Sequence, residues 1–146
     1  MTEPQAVLSL VTLGVSDLNR AIAFYEALGF ERRSASAEGV GFFKAGACAI
    51  AVWPSTDLAK DAGISFKDLS PAFRGVSLAW NCRSKDEVDA AVDRAYRAGA
   101  TVQKAAGDVF WGGYTAYFFD PDGHLWEVAY NPDMPLSDDG RLLMPE

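Results

Sequence analysis

The sequence predicts an α+β fold made of two βαβββ modules. Three observations predict it. A strand, a capped helix and three short strands follow one another twice in the same order. The helix starts, Ser16 and Ser84, and the helix stops, Gly29 and Gly99, recur at nearly equal spacing. The second module closes on two apolar runs joined by Asp120-Pro121-Asp122-Gly123, a strand–turn–strand signature. Paired units of this kind bury a sheet that neither covers alone.

The elements follow in order. Residues 6–15 are β-branched and apolar and predict a strand. Ser16-Asp17 caps a helix. Leu18, Ala21, Ile22, Tyr25 and Leu28 fall at helical spacing, and Gly29 stops it. Residues 30–36, 40–45 and 48–53 predict three strands, broken at Glu38-Gly39 and Ala45-Gly46. Module 1 thus spans 6–53. A linker over 54–74 holds Pro54 and Pro71 and one helical turn near Asp57–Ala62. Module 2 spans 75–131: a strand at 75–82, then a capping box with Ser84 at N-cap and Glu87 at N3. Val88, Ala91, Val92, Ala95 and Tyr96 make the helix stripe, and strands follow at 101–105, 114–120 and 125–130. The tail, 132–146, predicts irregular chain pinned by Met134, Leu136, Leu142 and Leu143. The whole makes a single domain over 1–146.

Composition narrows the function. A chain of 146 residues, 49% hydrophobic, buries a real core. The net charge of −7 and the lack of a basic cluster exclude nucleic acid and an anionic membrane surface as partners. No apolar run reaches a membrane span. The start, Met1-Thr2-Glu3-Pro4-Gln5, carries no positive leader, so the expectation is a cytoplasmic protein. Cys48 and Cys82 sit inside strands and read as small, buried, reduced side chains.

One residue carries the chemistry. Leu125, Glu127 and Ala129 share one strand face by alternation. A carboxylate on an apolar face needs a partner, a ligand or a proton. Glu127 is therefore either a structural carboxylate bonded to Tyr, Trp or Arg, or a ligand contact or acid/base group. The single histidine, His124, reads as a solvent-facing turn residue. Arg32-Arg33 read as a solvated strand end. No Ser/His/Asp or Cys/His set can be assembled.

Thr12-Leu13-Gly14-Val15-Ser16-Asp17-Leu18 with Ala21 to Phe30, and Phe119 to Glu127 at the far end, resemble the two motifs of the vicinal oxygen chelate superfamily. This is the glyoxalase, bleomycin-resistance and extradiol-dioxygenase group. The resemblance implies curved sheets around a ligand cleft, and often a homodimer. Metal-using members carry one ligand on each of four strands, and those positions fall here on Leu10, Ala51, Val76 and Glu127. Three of the four are apolar, so no metal and no other cofactor is expected. If Ala51 and Val76 face the cleft, Trp53, Leu78 and Trp80 do too by alternation. Phe110-Trp111-Gly112-Gly113-Tyr114 makes a lip, so the ligand-binding set is Trp53, Leu78, Trp80, Trp111, Tyr114 and Glu127.

Three functions follow from the resemblance. The first is a metal-independent protein that binds a small apolar or aromatic molecule in the manner of the bleomycin-resistance members. The second is a glyoxalase-like lyase, isomerase or epimerase, or a dioxygenase-related enzyme, with Glu127 as its catalytic acid/base or sole remaining ligand. The third is a structural or interaction protein whose cleft its own side chains fill.

Overall fold

In the computed structural model, residues 6, 8–65 and 73–144 are described. Pro71, residue 7 of the predicted first strand and the start at Met1–Gln5, all given above, lie outside that range. Module 1 consists of β1 (Leu10–Val15), α1 (Leu18–Leu28), β2 (Glu31–Arg33), β3 (Gly41–Ala45) and β4 (Cys48–Pro54). A short helix, α2 (Ser55–Asp61), opens the linker. Module 2 consists of β5 (Ser77–Cys82), α3 (Lys85–Ala98), β6 (Thr101–Asp108), β7 (Tyr114–Phe119) and β8 (Leu125–Tyr130). The strands form two four-stranded mixed sheets, ordered β1-β4-β3-β2 and β5-β8-β7-β6. In each sheet the first strand runs parallel to the last and the other pairs are antiparallel. The predicted α+β class and duplicated order are those of the molecule.

Local chemistry sets the helix ends. Asp17 is the N-cap of α1, its carboxylate accepting from the Arg20 amide at 3.0 Å. Ser84 caps α3 by accepting from the Glu87 amide at 3.1 Å. Glu87 reaches back to the Arg83 amide, also at 3.1 Å, one residue beyond a standard capping box. Gly29 and Gly99 end the helices at φ 110° and 115°, a backbone region that side chains disfavour. Gly41 serves close approach instead. A Cβ there would come within 2.7 Å of Ile22 Cγ1 and 2.9 Å of Val52 Cγ2, so its absence lets α1 lie flat on β3.

Several boundaries move for a physical reason. β1 begins at Leu10, not at residue 6, because its partner β4 begins only at Cys48. β5 begins at Ser77, two residues later than the apolar run suggests. The linker turn is a full short helix. The tail forms a β-bridge between Leu136 and Leu142 rather than irregular chain alone. Polar contacts help pin it, because Arg83 Nη2 donates to the carbonyls of Ser137 (2.6 Å) and Asp138 (3.2 Å).

The two modules share one core. Leu13, Val15, Phe43, Ile50 and Val52 from module 1 join Val88, Phe118, Trp126 and Val128 from module 2, with the buried faces of α1 and α3 between them. Tyr25 on α1 stands at the join, its ring centroid 5.9 Å from Phe43 and 6.1 Å from Trp126. The helix-ward faces of both sheets therefore meet, and their other faces turn away from the common core. Cys48 and Cys82 are free thiols, and burial pushes Cys82 up to about 11. Among the described residues, no helix is long and apolar enough to cross a membrane.

Candidate functional site

Alternation along β8 divides its side chains. Trp126 and Val128 enter the core, and Leu125, Glu127 and Ala129 take the opposite face. The ladders place Ala79 of β5 and Tyr117 of β7 directly beside Glu127. The Tyr117 hydroxyl donates to Glu127 Oε2 at 2.7 Å. That hydrogen bond, then burial and the carboxylate charge, holds the Tyr117 hydroxyl above the ordinary tyrosine range, so it stays protonated. Glu127 is half-buried rather than buried, and its partner is a tyrosine, one of the three partner types expected.

The corresponding face of module 1 carries Leu10 and Thr12, Ala49, Ala51 and Trp53, and Phe42 and exposed Lys44. One end of it is covered by α2. A Cβ on Gly14, on this same face of β1, would meet Ser55 Oγ at 2.9 Å and Leu58 Cδ2 at 3.4 Å. Ala51 is buried there, whereas Leu10 is exposed.

Three sequence expectations need correction. Val76 precedes β5 and is exposed, and the residue that matches Leu10 is Ser77. Each of these two opens its strand at the same distance ahead of a helix cap, Asp17 or Ser84. The register with β8 sets the face, pairing Ser77 with Leu125 and Ala79 with Glu127. Leu78 and Trp80 therefore pack on the helix side with Trp126 and Val128, opposite Glu127, and Trp80 lies 6.3 Å from Phe30 between ring centroids. Tyr114 also turns to the helix side, where its hydroxyl donates to Asp89 Oδ1 at 2.7 Å. Trp53 remains on the open face with Ala51. Trp111 folds its ring against Gly113, occupying the space a Cβ would need. Phe110 beside it is fully exposed.

His124 is likewise no solvent-facing residue. Its Nε2 lies 2.8 Å from the Gly14 carbonyl and its Nδ1 lies 2.8 Å from Arg74 Nη1. A carbonyl only accepts and a guanidinium only donates, so both bonds form when Nε2 carries the proton and Nδ1 does not.

The residues that sequence reasoning missed join the modules. Asp120, buried, accepts from the Tyr25 hydroxyl at 2.5 Å and from the amides of Asp122 and His124 at 3.0 and 2.8 Å. Trp126 Nε1 donates in turn to the Tyr25 oxygen at 3.2 Å. Burial, with the Asp120 carboxylate alongside, holds Tyr25 well above the ordinary range and keeps it a donor. Asp122 Oδ1 accepts from the Ser16 amide and hydroxyl, each at 2.9 Å, and from Arg20 Nη2 at 3.2 Å, ahead of α1 where a negative charge is favoured. Asp-Pro-Asp-Gly is thus a clasp as well as a turn.

The four strand positions are Leu10, Ala51, Ser77 and Glu127. They offer one carboxylate and one hydroxyl. A divalent metal requires several N, O or S donors, so this set does not fit one. Among the described residues no group of three or more His, Cys, Asp or Glu is placed to hold a metal.

The two tryptophans give a direct test of the faces. Trp80→Ala should cost about 3 kcal/mol of stability as a core truncation. Trp53→Ala, on the open face, should cost less than half of that. Urea denaturation of both variants checks the ordering, and equal losses would place both side chains in the core.

A family profile described as the Glyoxalase/Bleomycin resistance protein/Dioxygenase superfamily matches residues 7–128. No curated protein matches the chain. A glyoxalase-related enzyme from Fulvimarina pelagi is 29% identical, with a TM-score of 0.87 over 97% of this chain and 100% of its own. A glyoxalase/bleomycin resistance protein/dioxygenase from Nocardioides is 25% identical, with a TM-score of 0.72 over 88% and 85%. A family enzyme from Burkholderia phytofirmans, 22% identical, shares the fold with a TM-score of 0.77 over 86% and 98%.

Proposed function

The chain belongs to the glyoxalase/bleomycin resistance protein/dioxygenase superfamily, and from that premise we propose that it binds a small apolar or aromatic molecule without a metal. The donor set carries this reading. The strand frame is retained, but its four positions hold Leu10, Ala51, Ser77 and Glu127, and the one carboxylate is tied to Tyr117. Around Glu127 the face is Leu125, Ala129, Ala79 and Phe119, which suits hydrocarbon or a flat ring more than an ion.

The cleft belongs to a homodimer. The two open faces turn away from one core, so a cleft lined by both kinds of module needs two copies. The module 1 face of one subunit, with Leu10 and Trp53, then stands across from Glu127 of the partner subunit. A second reading, a lyase or isomerase, draws on the Tyr117–Glu127 hydrogen bond. A carboxylate and a phenol in contact are a proton acceptor and a proton donor within one site.

Native mass spectrometry tests the binding reading. The protein is sprayed as purified and again with nickel, zinc, manganese and iron(II) offered separately. The expected spectrum is a dimer with no stoichiometric metal, and with any retained mass organic. One metal per subunit, bound at micromolar concentration, would overturn metal independence. A monomer at all concentrations would remove the shared cleft.

A further inference from the structure

We infer that the ligand of the Glu127 face is an organic cation: an amine, amidine or guanidine carried on an apolar or aromatic body. This deepens the function proposed above and rests on it. The starting observation is an unbalanced charge. Glu127 is half-buried and receives one hydrogen bond, from the neutral Tyr117 hydroxyl to Oε2. None of the ion pairs among the described residues includes it: Arg20, Arg32, Arg33, Lys85, Arg97 and Arg141 all engage other carboxylates. Lys104 pairs with Tyr117 on the strand beyond, on the same face, and is in none of these ion pairs.

A half-buried carboxylate without a cation has lost part of its hydration and gained little in return. A ligand that brings positive charge and N–H donors fills that deficit, and charge-assisted hydrogen bonds are about twice as strong as neutral ones. The neighbours say what the rest of the ligand is. Leu125, Ala79 and Phe119 flank Glu127 on the same face and present no charge. The Tyr117 ring adds an aromatic face that attracts cations. The net charge of −7 draws a cation to the protein and repels an anion. Anionic ligands, which a metal or an arginine cluster would hold, meet a carboxylate here instead.

Three naphthalene probes of one shape separate the possibilities: 2-naphthylmethylamine (cation), 2-naphthalenemethanol (neutral) and 2-naphthoate (anion). Isothermal titration at low and at physiological salt reads each affinity. The cation should bind at least about tenfold tighter than the alcohol, and salt should shrink that margin. Glu127→Gln should erase the margin and leave alcohol binding in place, with its melting temperature within a few degrees of the parent. Ala79→Lys, at an exposed position beside Glu127, supplies a cation from within the protein and should erase the margin with the carboxylate intact. Equal affinity for amine and alcohol, or tighter naphthoate binding, would overturn the inference and leave the small-molecule reading standing. A margin that survives both variants would overturn it too, because the cation would then sit elsewhere. No binding by any of the three would remove the small-molecule reading along with the inference.

Discussion

Trp126→Ala should lower stability by about 3–5 kcal/mol, the cost of deleting a large buried aromatic. The Trp126 ring stacks on Phe118 at 6.1 Å and lies 5.6 Å from Phe30 and 6.1 Å from Tyr25. Those partners come from β7, from just beyond the Gly29 stop of α1 and from α1 itself, so one truncation opens a void at the meeting of both modules. Nε1 also supplies a donor to Tyr25 that nothing in the apolar surroundings replaces. Trp126→Phe should recover most of the volume and lose the donor, for a smaller cost. Urea unfolding with an unchanged slope and a lower midpoint is the expected record. A loss under about 1 kcal/mol for the alanine variant would mean that the site collapses easily, against the close packing of buried cores.

Asp120→Ala should cost about 3 kcal/mol, although it removes only one short polar side chain. Its carboxylate serves three donors: the Tyr25 hydroxyl and the amides of Asp122 and His124. Deleting a buried acceptor leaves each donor to bear its own desolvation. Asp120→Asn should be milder, since one oxygen still serves the turn amides. A double-mutant cycle with Tyr25→Phe should give a coupling energy of about 1–3 kcal/mol, the range for groups in one network. Additive losses would mean that the hydroxyl and the carboxylate contribute separately.

These two residues mark where the sequence stops being legible. Helix caps, glycine stops and the final turn are local chemistry, written in adjacent residues, and they appear in the molecule as expected. Tyr25 and Asp120 are 95 residues apart, and no local rule pairs them. A buried tyrosine must satisfy its hydroxyl, but the sequence does not say with what. The candidate site failed in part for a different reason. The resemblance puts Val76 on the cleft face and alternation from it adds Leu78 and Trp80, but alternation carries the correct period and no origin. With Ser77 and Ala79 in register with Leu125 and Glu127, the whole set turns over. Trp53 and Trp80 show the result, being alike as residues and placed on opposite sides of their sheets. Glu127 escaped the error because the Asp-Pro-Asp-Gly turn fixes the start of β8 independently.

The shared core also has a consequence for synthesis. Tyr25 waits for Asp120 and Trp126, and Ser16 waits for Asp122, bonds that span 95 to 106 residues. At about 5–20 residues per second, that is roughly 5–20 seconds of translation in which α1 has emerged and its module 2 partners have not. During that interval Tyr25 lacks its module 2 partners Asp120 and Trp126. The clasp forms only once β8 has emerged, so β7, the turn and β8 are the segment whose arrival completes the surroundings of Tyr25.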